Sequence, residues 1–216
     1  MKDNPKVRKI AFVGDYLPRK CGIATFTSDL LGAVSAAHPQ SRCLAVSVND
    51  IEEVRIRVSP RAMMTMADGP EKWAPRNRET ADHSIPYTAS VALLYGTIDE
   101  SYFEEKHFLH NQELLQFISR IKCSAWDEAT MAAAQSNAWN LCEVEIVTRS
   151  GQRSLEKWEF HRGHWRNPMT DAEIEEKFHK LNGGLLPQEK VEHLLKQLWN
   201  VDTLPNVGTL IEATLI

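Results

Sequence analysis

The residues best suited to chemistry lie in the run Arg78-Glu79-Thr80-Ala81-Asp82-His83-Ser84-Ile85-Pro86-Tyr87. General acid–base chemistry on an anionic substrate needs a base, an acid and a cation for the substrate's charge. His83 is the candidate base or acid, and Tyr87 is the candidate proton donor. Arg78 can clamp a carboxylate through its N–H fork, and Ser84 can bind substrate through its hydroxyl. A helix beginning at His83 would put positions 83 and 87 on one face. A structural alternative uses the same residues. Asp82 or Ser84 caps the helix, His83 donates to a backbone carbonyl and Tyr87 is half-buried packing.

The elements around this run can be read from pattern. No Asp, Glu, Lys or Arg occurs from His83 to Ile98, so a helix there is expected to be buried on all sides. Pro86 suits its first turn and Gly96 its end. Ile85, Ala89, Ala92 and Leu93 form one face, with Val91 and Leu94 on another. Upstream, Val54, Ile56 and Val58 alternate with Arg55 and Arg57, which predicts a half-exposed strand ended by Pro60 and the Asp68-Gly69-Pro70 turn. Downstream, Tyr102–Ile121 is expected to be helical in part, with Leu114, Leu115 and Ile118 as its stripe. Ala125–Asn140 gives no assignment. Leu141–Thr148 and Leu155–Phe160 read as a hairpin across Arg149-Ser150-Gly151-Gln152, making a small mixed or antiparallel sheet. Thr170-Asp171-Ala172-Glu173 is a capping box before a helix with Ile174, Phe178 and Leu181 on one side and Gly183 past its end. A second helix starts at Pro187, with Val191, Leu194, Leu195 and Leu198 on one stripe. The apolar tail Leu204–Ile216 is expected to dock onto something.

The N-terminal piece reads differently. Lys9–Gly14 and Cys43–Val48 read as strands around a helix bearing Phe26, Leu30 and Val34, a β-α-β unit with Gly22 in its first loop. Such loops bind phosphate through free amides. Ile10-Ala11-Phe12-Val13-Gly14-Asp15-Tyr16-Leu17-Pro18-Arg19-Lys20-Cys21-Gly22 resembles the opening of nucleotide-sugar glycosyltransferases with two Rossmann-like domains. That resemblance implies Cys21-Gly22-Ile23 near donor phosphates; the structural alternative is a β-α-β piece without activity. A seam is expected near residues 50–53, dividing the chain into 1–50 and 51–216.

The net charge of -4 over 216 residues offers no basic surface for nucleic acid or anionic lipid. The four cysteines are scattered without a Cys-x-x-Cys pair, which suits reduced thiols. The polar N-terminus lacks a signal-peptide core, and His83–Ile98 is too short to cross a bilayer, so a cytoplasmic protein is expected. His161-x-x-His164 has metal-like spacing but no nearby carboxylate or thiolate. A polar Gly-containing loop whose His groups bond locally is the preferred reading, and no metal site is expected.

A second resemblance covers most of the chain. The Arg78–Tyr87 run, then Arg162-Gly163-His164-Trp165-Arg166-Asn167-Pro168-Met169, then Asp171-Ala172-Glu173-Ile174-Glu175-Glu176-Lys177-Phe178, resemble the C-terminal part of the MmgE/PrpD family from about residue 52 onward. That family includes 2-methylcitrate dehydratase and cis-aconitate decarboxylase. The resemblance implies an α+β fold, here a short Rossmann-like β-α-β piece followed by an MmgE/PrpD-like α/β lid domain with C-terminal helices. It implies lyase chemistry on small tricarboxylates with no metal or organic cofactor, in a cleft closed against a helical domain. The helical domain has no counterpart in this sequence, so the expectation is an incomplete, fused chain that is inactive when isolated. The expected partners are a small carboxylate substrate and further copies of the chain, with neither nucleic acid nor membrane. The alternatives are a non-catalytic truncated fusion and a glycosyltransferase fragment.

Overall fold

The computed structural model describes residues 9–14, 42–127, 131 and 141–215. They belong to two compact units, Met1–Glu159 and Phe160–Ile216. In the first unit, strands β1 (Lys9–Gly14) and β2 (Arg42–Ser47) pair in parallel, from Lys9 opposite Arg42 to Gly14 opposite Ser47. Parallel neighbours require a crossover connection. The helix expected around Phe26–Val34 and the Cys21-Gly22-Ile23 loop lie outside the described residues. One 3-10 turn, Val48–Asp50, joins β2 to β3 (Ile51–Val58). Val46 and Val48 share a hydrophobic cluster with Val54, Ile56, Phe117 and Ile121, so the core runs across residues 50–53.

The alternation in β3 is that of a strand with one wet face. Val54, Ile56 and Val58 are buried, while Arg55 and Arg57 are exposed. β3 is central in a mixed sheet ordered β4-β3-β5-β6, with β4 (Ile121–Ala125) parallel to it and β5 (Cys142–Thr148) antiparallel. β6 (Arg153–Trp158) closes the expected hairpin. On the wet face, Arg55 lies 3.0 Å from Glu145 and Arg57 3.7 Å from Glu143, which satisfies the charges across strands. Residues 121–125 are a strand that begins at the end of the Tyr102–Ile121 segment expected to be helical in part.

Helix α1 (Pro60–Met66) starts where the sequence suggested only a strand stop. Ser59 accepts from the Ala62 amide, and Pro60 occupies the first turn, where its missing N–H costs little. Short helices α2 (Pro70–Trp73) and α3 (Arg78–Asp82) lead into α4 (Ile85–Tyr95). α5 (Glu105–Phe108) and α6 (Gln112–Ile118) follow. No residue of α4 is exposed. Its Ile85, Ala89 and Leu93 pack on the sheet cluster, and its Tyr87 and Val91 pack with Phe108, Leu114 and Ile118 in a second cluster. Leu94 touches both. This helix is the layer that joins the two cores of the unit.

The second unit carries α7 (Asp171–Asn182), α8 (Gln188–Trp199) and α9 (Gly208–Ala213). Thr170 and Glu173 form the expected capping box, with Gly183 as C-cap. Val191 and Leu194 are the buried positions of α8. α9 lies against α8, and Val207, Ile211 and Leu215 of the tail remain exposed. The architecture is α+β.

Candidate functional site

The Arg78–Tyr87 run is two helix ends meeting. Asn77 caps α3 through the Thr80 amide, and the Thr80 side chain returns a bond to the Asn77 amide. α3 stops at Asp82, and His83 is its C-cap. Ser84 then turns into extended backbone (φ -122°, ψ 114°) and caps α4 by accepting from the Tyr87 amide at 3.1 Å. The same hydroxyl donates to the Lys72 carbonyl, and the side chain is fully buried. Pro86 lies in the first turn, and Gly96 ends the helix at φ 71°. Because α4 starts at Ile85, positions 83 and 87 do not share a helix face.

The four candidate side chains therefore separate. Tyr87 is fully buried, and its phenol donates to the Tyr102 carbonyl. Burial, then the charge of Tyr95, pushes that phenol well above its ordinary range, so it is a neutral donor at physiological pH. Arg78 pairs with Glu100 at 3.6 Å, with both side chains mostly exposed, a contact weak enough to exchange. His83 has 58% of its side chain exposed. Its Nδ1 lies 2.5 Å from Asp82 Oδ1 and 3.1 Å from the Glu79 carbonyl oxygen. The bond to Asp82, then the one to the Glu79 carbonyl, raises the imidazole pKa. The structure thus brings Ser84 and Tyr87 together inside the core and leaves Arg78 and His83 in solvent.

Glu79, Asp82 and His83 also place potential metal-ligand atoms within 4.8 Å of one another, all on exposed residues. The His83 Nδ1 that faces these carboxylates is already within hydrogen-bond distance of Asp82 and of the Glu79 carbonyl.

The second motif block is held by local bonds. Gly163 adopts φ 94°, and Asn167 bonds the loop to itself through the Phe160 carbonyl and the Gly163 amide. His164 Nδ1 accepts from the Arg166 amide at 3.1 Å, and its ring centroid lies 5.7 Å from that of His161. Arg162 grips both oxygens of Glu173. Arg162 and the Thr170 amide and hydroxyl hold the Glu173 carboxyl down to about 2. The cue was present in the sequence, since a capping-box Glu is already committed to local bonds. A cleft of about 530 Å³ at the α7–α8 turn is lined by His179, Gly183, Gly184, Leu186, Gln188, Val191 and Glu192. Its one imidazole, His179, lies 3.8 Å from Glu192.

Residues 23–201 match the MmgE/PrpD C-terminal domain, and the chain belongs to that family. The match reaches back past the expected seam, into the segment expected to be glycosyltransferase-like, and the comparisons show no glycosyltransferase resemblance. The chain is 25% identical over 138 residues to cis-aconitate decarboxylase of Homo sapiens and 24% identical over 136 residues to that of Mus musculus. Each alignment covers 63% of this chain and 27% of the relative, so the chain spans about a quarter of the length of these relatives. Among the described residues, no helix is long and apolar enough to cross a membrane.

Proposed function

We propose that the chain supplies part of a lyase site for small tricarboxylates such as cis-aconitate, with His83 as the group that transfers the proton. The observation that carries this reading is the exposed His83 ring with its Nδ1 side anchored, in a chain of the MmgE/PrpD family. In a decarboxylation the electrons of the breaking C–C bond pass to the carbon skeleton, and an acid delivers a proton to it. In a dehydration a base removes the proton beside the carboxylate, and an acid protonates the departing hydroxyl. An imidazole near neutrality serves either step. Arg78 would exchange Glu100 for a substrate carboxylate. Ser84 and Tyr87 would reach substrate only if the Lys72 and Tyr102 carbonyls released them, so their first role is to hold α4. Two-site chemistry of this kind needs further groups from a helical domain, and the isolated chain is expected to bind substrate without turning it over. Exposed Val207, Ile211 and Leu215 support self-association, which sedimentation would check.

The test is titration of the labelled chain with cis-aconitate and with 2-methylcitrate, followed by NMR. Saturable shifts at His83 and Arg78 that disappear in His83→Ala are expected. No shift with either tricarboxylate would overturn the reading. The second reading, a non-catalytic chain, is favoured by the internal bonds that occupy Ser84 and Tyr87. It predicts that null result together with unchanged folding.

A further inference from the structure

We infer that Asp82 is a positioning residue that fixes the tautomer of His83, so that Nε2 is the ring atom able to take and return a proton. The functional consequence rests on the proposed role of His83, but the geometry does not. Adjacent side chains on a helix point about 100° apart and do not normally meet. They meet here because His83 has left the helix at its C-cap (φ -99°, ψ 31°). Its ring turns back over the last turn, where Nδ1 finds Asp82 Oδ1 at 2.5 Å and the Glu79 carbonyl oxygen at 3.1 Å. The carbonyl lies in the last turn of α3, where it also accepts from the His83 amide at 3.4 Å. The Glu79 carboxylate lies 3.8 Å from the same nitrogen. Every group around Nδ1 accepts at neutral pH and none donates, so Nδ1 carries the hydrogen. A neutral imidazole has one ring hydrogen, so Nε2 keeps its lone pair. No hydrogen bond engages Nε2 among the described residues. In plain water histidine prefers the opposite tautomer, with hydrogen on Nε2. Asp82 therefore does for His83 what an orienting carboxylate does for any imidazole base: it selects the tautomer and steadies the imidazolium that forms on protonation.

The measurement is a long-range proton–nitrogen correlation spectrum of the full-length chain labelled with nitrogen-15, recorded where the imidazole is neutral. His83→Gln assigns the signal. The wild type should show His83 mainly as the Nδ1–H form. Asp82→Ala should shift the tautomer ratio toward Nε2–H by about tenfold or more, the size of a charge-assisted bond, and Asp82→Asn should fall between. The wild-type spectrum stands without any variant. A majority Nε2–H form, or an Ala variant within twofold of wild type, would overturn the assignment. If tricarboxylates fail to perturb His83 while the tautomer is as stated, the lyase reading falls and the positioning stands. If they perturb His83 and the tautomer is reversed, the positioning falls alone.

Discussion

Ser84→Ala tests whether the hydroxyl at the centre of the run is structural. Ser84 Oγ accepts from the Tyr87 amide at 3.1 Å and donates to the Lys72 carbonyl, from a fully buried position. Losing an N-cap of this type costs roughly 0.5–2 kcal/mol. Leaving the half-buried Lys72 acceptor without its donor adds about 1–3 kcal/mol. One oxygen makes both bonds, so the two terms overlap and a combined loss of about 3 kcal/mol is expected. That is a large part of the ~5–15 kcal/mol that holds an ordinary domain folded. Equilibrium urea unfolding should show it as a midpoint lowered by roughly 1–2 M with an unchanged slope. Thr88→Ala is the control. Thr88 Oγ1 bonds the Ser84 carbonyl at 2.7 Å, but the Thr88 amide also satisfies that carbonyl at 3.0 Å, so nothing is orphaned. It should change stability by less than about 1 kcal/mol. A Ser84→Ala loss below about 0.5 kcal/mol would refute the reasoning and return the hydroxyl to the list of ligand-binding groups.

Four further outcomes follow from the geometry. Tyr87→Phe deletes the donor to the Tyr102 carbonyl while keeping the packing, and urea unfolding should register a loss of about 1–3 kcal/mol; no loss would mean the phenol is free for chemistry. Gly96→Ala meets nothing within 4 Å but must adopt φ 71°, so it should cost only the backbone term of about 1–2 kcal/mol, and a larger loss would contradict the open surroundings. Burial raises the Cys123 thiol to about 12 and also raises Cys142, so neither should react with a disulfide reagent at pH 8 until urea unfolds the chain, at least about a hundredfold slower than a free thiol; peptide mapping would detect early labelling. Glu173 has its carboxyl pKa lowered from 4.5 to about 2 in the fold, so its stabilisation is fully present above about pH 4.5 and is lost as pH falls toward 2. Thermal melts of wild type and Glu173→Gln should therefore differ at neutral pH and converge near pH 2; curves that stay apart there would show that the carboxylate is not the source.

Where partners lie within a turn of each other, the sequence carried the fold well. Ser84 as cap, Pro86 in the first turn and Gly96 as terminator concern bonds within four residues, and so do Thr170 and Glu173. The two faces of α4 were legible because a segment without charges can only lie between two apolar layers. β4 was not legible. Ile121-Lys122-Cys123-Ser124-Ala125 is short, and it is a strand because β3, far away in sequence, offers it a parallel edge with Val54 opposite Ile121. α1 was missed because Pro60 stops a strand and starts a helix equally well, and only the Ser59 cap separates the two.

The same distinction explains the site. Arg78, His83, Ser84 and Tyr87 were legible as a cluster, but whether each group is spent or free depends on partners that no local pattern reveals. Ser84 finds a carbonyl 12 positions back, and Tyr87 finds one 15 positions ahead. Both acceptors belong to segments packed around α4, so burial converts two apparent reactive groups into structural ones. His83 is the exception because its partners are Asp82 and Glu79, one and four residues before it. A histidine that immediately follows the last residue of a short helix has a last-turn carbonyl within reach, and here a carboxylate precedes it. The Asp82–His83 arrangement is thus encoded in α3 and its C-cap alone. A substitution in the second cluster, which α3 enters through Ala81, should leave the His83 tautomer unchanged as long as α3 stays folded. Leu114→Ala, which should cost about 2–5 kcal/mol from the second cluster, provides that check. A tautomer shift in that variant while α3 remains intact would show that the dyad depends on the core after all.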